Sequence, residues 1–301
     1  MSCVVTFYQF APLADPEAAQ ADLQQRAQTL GLKGTILLAA EGINGTLTGD
    51  EPALKTFSEA LGGIPGFEHM PFRFCESRPG NPVFYRLKVR IKPEIVALGR
   101  PEVNPARRTG THVDAATWNA LLDDPQVLVI DTRNHYEIGI GTFPGAVDPG
   151  TRSFRQFPEY VASLDPVRQP KIAMFCTGGV RCEKASAYML EQGFEAVYQL
   201  DGGILKYLET VPEGENRWQG ECFVFDQRIS VNDSLGEGTY RQCFACRRPL
   251  TAEEMTSPEY SAGVSCPHCV DEHTATQRAS FEERQRQVRL ADARGDLHVG
   301  K

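Results

Sequence analysis

No apolar run in this 301-residue chain approaches the ~18 residues that a membrane-spanning helix needs. The segment from Met1 to Phe10 has neither a basic stretch nor a small-residue cleavage site, so a secretory leader is not expected and the cytoplasm is the expected compartment. A positive excess is missing too: 31 Lys and Arg stand against 39 Asp and Glu, which argues against a protein that coats nucleic acid non-specifically. Internal repeats and low-complexity tracts are absent. So are a flavin or nicotinamide fingerprint and an evident two-His-one-carboxylate iron triad.

Nine cysteines are present. In a compartment that keeps thiols reduced, they point to metal binding or catalysis before a disulfide framework. The remaining composition, 41% hydrophobic and 23% charged, is that of a globular chain long enough for two or three domains.

Three segments differ in pattern. Residues 1–98 read as α+β, with strands at Val4–Phe10, Lys33–Ala39, Gly45–Thr48, Phe67–Phe74 and Tyr85–Ile91. Helices run from Pro16 to Leu30, capped by Asp15 and followed by Gly31, and from about Pro52 to Leu61. This order predicts a ferredoxin-like (acylphosphatase-like) sandwich. Residues 110–215 carry short apolar runs at Val127–Ile130, Ile172–Phe175 and Ala196–Leu200, separated by helical stretches, which predicts an α/β unit with a buried parallel sheet. Asp131 and Cys176 fall at carboxyl ends of strands, where such sheets collect their chemistry. Residues 216–301 hold a candidate short strand at Cys222–Ile229, a compact cysteine-bearing module and a helix over Thr276–Ala293.

Charge is unevenly distributed. Between Arg73 and Arg108, nine basic residues (Arg73, Arg78, Arg86, Lys88, Arg90, Lys92, Arg100, Arg107 and Arg108) face three acidic ones. The alternation from Leu87 to Lys92 gives a strand one apolar and one basic face.

Cys176 follows an apolar strand and precedes Thr177, Gly178, Gly179, Val180, Arg181 and Cys182 at the opening of a helix. The thiol is open to four readings: buried core, half of a disulfide, metal ligand or nucleophile. Unpaired N–H groups, the helix dipole and Arg181 would all favour its thiolate. Paired motifs at Cys243/Cys246 and Cys266/Cys269, 19 residues apart, are the better metal site. Four thiolates suit tetrahedral zinc in a structural role, since no coordination position stays open. His268, between the last two, reads as a bystander, and His273 as a weaker candidate still.

Asp131, Arg133, Glu137 and the Gly141–Ala146 stretch, together with the Cys176–Arg181 loop and Leu200–Gly203, resemble the rhodanese family. The resemblance implies Cys176 as active-site thiol in a cradle of Thr177–Val180 and Arg181, supported by Asp131 and Arg133. Four residues separate Cys176 from Arg181, the compact loop of sulfur-handling rhodaneses and not the wider one of phosphatase relatives. Cys182 could resolve an oxidised Cys176 or be a packed helix thiol. Over the whole chain, Ala39–Gly49, Cys176–Met189, Tyr198–Glu209 and the paired cysteine motifs resemble the rhodanese-domain tRNA uridine hydroxylases. That resemblance implies conversion of the wobble uridine to 5-hydroxyuridine, with molecular oxygen as co-substrate and tRNA as partner. Arg86, Lys88, Arg90 and Lys92 are then the candidates for tRNA binding, with Phe84 and Tyr85 available for stacking. A sulfurtransferase or persulfide carrier using the same cysteine is the alternative.

Overall fold

The computed structural model describes residues 2–76 and 83–295. The N-terminal unit runs β1 (Ser2–Phe10), α1 (Pro16–Thr29), β2 (Lys33–Ala39), β3 (Gly42–Asp50), α2 (Glu51–Gly62), β4 (Phe72–Glu76) and β5 (Leu87–Ile91). Asp15 caps α1 by accepting the Ala18 N–H at 2.8 Å, and Pro16 occupies its first turn. Sheet order is β4-β1-β3-β2-β5. The first four strands make the expected ferredoxin-like arrangement, and β5 adds to it parallel to β2. Phe67, read from sequence as the start of a strand, is a core residue in a turn: its N–H donates to Ile64 and its carbonyl accepts from Met70. β4 therefore begins only at Phe72.

Strand alternation decides what each face does. Cys3, Val5 and Phe7 join the core with Leu23, Leu54 and Phe57 from the two helices. Thr6 and Tyr8 consequently lie on the opposite face. Cross-strand register builds two rows there, Arg73-Thr6-Thr46-Thr35-Lys88 and Tyr8-Asn44-Leu37-Arg90.

The central unit comprises β6 (Thr111–Val113), α3 (Ala115–Asp123), β7 (Val127–Asp131), α4 (His135–Ile138), β8 (Gly141–Thr142), α5 (Phe157–Val161), β9 (Lys171–Phe175), α6 (Val180–Glu191), β10 (Ala196–Leu200) and α7 (Gly203–Thr210). Its parallel sheet has the order β6-β10-β9-β7. On β9, Ile172 and Met174 enter one hydrophobic cluster while Ala173 and Phe175 enter another. Burial on both faces is why this strand reads as an uninterrupted apolar run.

Beyond α7 the chain does not leave the central unit at once. β11 (Gln219–Gly220) pairs with β8, and Trp218, Cys222, Val224 and Val231 pack with Trp118 and Phe175. The single strand read at Cys222–Ile229 is a hairpin of β12 (Cys222–Phe223) and β13 (Ser230–Val231), because Asp226 accepts the Arg228 and Ile229 N–H groups and turns the chain. β14 (Arg241–Gln242) and β15 (Pro249–Leu250) then frame the cysteine module, and α8 (Ala275–Ala293) follows. Among the described residues, no helix is long and apolar enough to cross a membrane.

A buried lysine joins the N-terminal and central units. Lys184 of α6 is fully buried and lies 2.7 Å from both Glu41, in the turn before β3, and Glu94, after β5. Burial raises the Glu41 carboxyl above its usual range, and Lys184 acts against that rise.

Candidate active site

β9 delivers Cys176 to the carboxyl end of the sheet, and the next residues turn sharply into α6. Gly179, with φ +96°, makes that turn possible; a Cβ there would meet the Tyr8 hydroxyl at 2.6 Å. Gly203 (φ +65°) allows α7 to seat on the loop, so that the Cys176 carbonyl accepts the Ile204 N–H at 2.9 Å. Gly178, by contrast, has open space where a side chain would go.

The thiol lies inside a ring of donors. The Gly179 N–H points at Cys176 Sγ from 3.1 Å, and the N–H groups of Arg181 and Cys182 join it. Burial by itself would raise the thiol pKa. A hydrogen bond from Cys182, the Arg181 charge and these N–H groups outweigh burial and lower it to about 6. Cys182 is pushed the other way, well above the thiol range, by burial and by Cys176. Its sulfur also lies 3.5 Å from the Thr132 hydroxyl. The two buried thiols are shifted in opposite directions, Cys176 down and Cys182 up.

Arg181 does not extend its guanidinium as an open wall of the cradle. Both terminal nitrogens donate to Glu137, at 2.7 and 2.8 Å, in a bidentate pair shielded from water. Arg181 acts on the thiol through its charge and its backbone N–H. Glu137 also accepts the Asn134 N–H at 2.9 Å, closing the capping box of α4. Asp131 and Arg133 form a second buried pair at 2.6 Å. Arg133 donates further to the carbonyls of Glu137 and Gly141, tying down the loop that presents Glu137.

The N-terminal sheet supplies a wall that local sequence did not reveal. The Tyr8 hydroxyl reaches Glu183 Oε1 at 3.4 Å, and Glu183 is 2.8 Å from His112 Nε2. Although burial opposes it, hydrogen bonds from His112, Thr109 and Gln199 keep the Glu183 carboxyl below its usual range. Burial, then Glu183 and Cys176, hold Tyr8 far above the normal phenol range, so it is a neutral donor. No local spacing signals this contact, which joins residues 175 positions apart.

Arg86, Lys88, Arg90 and Lys92 are all exposed. Lys88 and Arg90 share the sheet face of Arg73 and Tyr8, and Arg90 ends the Tyr8 row. At about 4.8 Å per strand, it lies on the order of 14 Å from Tyr8. Arg78 lies outside the described residues; Tyr85 is exposed and Phe84 half-buried.

Cys243, Cys246, Cys266 and Cys269 converge, with every pair of sulfurs within 4.8 Å. Three of the separations are 3.9, 3.8 and 3.6 Å. A tetrahedron with metal–sulfur bonds of about 2.3 Å places its sulfurs about 3.8 Å apart, so the cluster could hold a metal ion of that kind. His268 pairs with Glu254 at 2.6 Å, and the His273 ring packs edge-on against Phe281.

Residues 2–95 match the family model described as UPF0176 acylphosphatase like domain, and residues 114–210 match Rhodanese-like domain. A curated protein of Agrobacterium fabrum named tRNA uridine(34) hydroxylase is 50% identical, across 99% of this chain and 95% of that protein. One of the same name from Teredinibacter turnerae is 51% identical, across 99% of this chain and 92% of its own. Among solved structures, a rhodanese-like domain from Anabaena sp. aligns with 37% of this chain and 80% of its own, at 20% identity and a TM-score of 0.31.

Proposed function

The chain belongs to the tRNA uridine(34) hydroxylase family, and from that premise we propose that it converts the wobble uridine of tRNA to 5-hydroxyuridine at Cys176. Supporting this is the Cys176 thiol itself, lowered to about 6 beneath a ring of N–H donors, in a chain half identical to proteins of that name.

In the proposed reaction the Cys176 thiolate adds to C6 of the uracil, and the ring electrons move to C5 and the O4 carbonyl. C5 then takes an oxygen atom from an electrophilic donor derived from molecular oxygen. Loss of the C5 proton and breakage of the C6–S bond release 5-hydroxyuracil and return the thiolate. Bringing dioxygen to this level, with its second atom leaving as water, takes two electrons from an external reductant. The Arg181 charge and the N–H groups of Gly179, Arg181 and Cys182 hold the thiolate charge. Asp131 and Arg133 position the loop bearing Glu137. Cys182 donates to the thiolate, and would close a disulfide with it after oxidation to a sulfenate.

Arg86, Lys88, Arg90 and Lys92 are proposed to bind tRNA phosphates, because they are exposed and two of them share the Tyr8 face. Zinc is proposed at Cys243, Cys246, Cys266 and Cys269. It would fix the fold of that module, four thiolates leaving no position for substrate. This reading divides the chain by pattern into 1–98, 110–215 and 216–301, with Trp218–Val231 of the last segment packed into the central unit, and has it act on tRNA in the cytoplasm. Nucleoside analysis of tRNA from cells lacking the protein tests it. Missing 5-hydroxyuridine supports hydroxylation; a missing thiolated nucleoside would instead support sulfur transfer.

A further inference from the structure

Phe225 is 63% exposed, although Phe223, Val224 and Asp226 around it are buried. One exposed phenylalanine is ordinary on a protein surface. Its placement is not. The ring lies 5.8 Å from the Arg181 guanidinium and packs edge-on against Phe223, with centroids 5.2 Å apart. The Phe223 carbonyl accepts the Thr177 hydroxyl at 3.3 Å, fastening this hairpin to the residue next to Cys176. Phe223 in turn packs edge-on against Tyr136, one residue before Glu137.

The far side of the hairpin is fastened as well. Arg228 is paired with buried Asp226, and its Nη1 lies 3.5 Å from Cys75 Sγ on β4 of the N-terminal sheet. Ile229 holds φ at +65°, a left-handed conformation that a β-branched side chain adopts only under constraint from its surroundings. Val224 and Ile229 are locked by a backbone hydrogen bond of 2.9 Å. The chain therefore keeps an apolar ring in water at the edge of the thiol loop, on a turn braced from both units.

We propose that Phe225 is the stacking platform for the substrate base, receiving the uracil ring as it enters the Cys176 loop. The inference rests on the hydroxylase reading for the identity of that base. Cys176 is only 1% exposed, so an incoming base must meet the rim of the loop before the thiol. An aromatic ring open to water at the rim of the loop offers a flat apolar surface that suits stacking of a neutral base, the Arg181 guanidinium near it being already paired with Glu137.

The test uses full-length protein and an unmodified anticodon stem–loop. Trp118 and Trp218 are both buried, so Phe225→Trp places an exposed indole at the proposed contact. Its fluorescence should be quenched by a stem–loop with uridine at the wobble position, and much less by one that is abasic there. Equal quenching by both would overturn the proposal, whether or not turnover is detected. In parallel, Phe225→Ala should lower kcat/KM roughly 5- to 150-fold, the equivalent of about 1–3 kcal/mol of stacking, with no change in the salt dependence of tRNA binding. If wild type hydroxylates uridine and Phe225→Ala matches its kcat/KM, the stacking role fails and the reaction stands. If wild type produces no 5-hydroxyuridine, the functional reading fails, and the quenching comparison still decides whether Phe225 meets the base.

Discussion

Glu137 closes both carboxylate oxygens onto the Arg181 guanidinium from a position 44 residues earlier in the chain. The contact locks the first turn of α6, and with it the N–H groups that face the thiol. Glu137→Ala leaves a buried guanidinium without its counter-charge and opens the α4 capping box. The expected loss is about 3–5 kcal/mol in urea unfolding. A loss within about 0.5 kcal/mol, typical of a surface site, would mean that the pair is not buried in solution.

The thiol should titrate far below its ordinary range. A pKa lowered from 9.0 to about 6 keeps Cys176 ionised at neutral pH. Activity that needs the thiolate should fall as pH drops through about 6 and level off above it. Ultraviolet thiolate absorbance of wild type minus Cys176→Ser, followed against pH, measures this directly. A midpoint near the ordinary thiol value would contradict the ring of donors.

Charge reversal on the N-terminal sheet should weaken tRNA binding. Changing Lys88, Arg90 and Lys92 together to Glu removes cations whose contribution to binding comes from counterion release. The slope of log affinity against log salt should shrink by about 0.7–0.9 for each phosphate no longer neutralised. An unaltered slope would exclude this face.

The four-cysteine cluster should carry about one zinc per chain by elemental analysis. A chelator or Cys266→Ser should remove it and expose the segment around β14 and β15 to proteolysis, since binding and folding of such a module are coupled. Protein purified without zinc, yet resistant to cleavage there, would contradict the assignment.

Much of the thiol loop was legible because its parts are local. The Cys176–Arg181 spacing, the glycines and the strand before them sit within a few residues and carry their own geometry. The paired cysteine motifs were legible for the same reason. Contacts that close the site over long separations were not. Glu137 was readable as part of a motif, but nothing in that motif says that it sequesters the Arg181 side chain. Tyr8 alternates like any strand residue, and only the docking of two units brings it against Gly179 and Glu183. Lys184 looks like a solvated helix lysine in sequence, yet it is fully buried between Glu41 and Glu94. Phe67 shows the limit from the other side: an apolar residue before an apolar strand gives the same signal whether it lies in the strand or in the turn ahead of it.

The most direct test supplies cells lacking this protein with wild type or Cys176→Ser and measures their tRNA nucleosides by mass spectrometry. Wild type should restore 5-hydroxyuridine, and Cys176→Ser, at equal abundance, should restore none. Restoration of 5-hydroxyuridine by Cys176→Ser to the wild-type level would contradict thiolate chemistry at this residue.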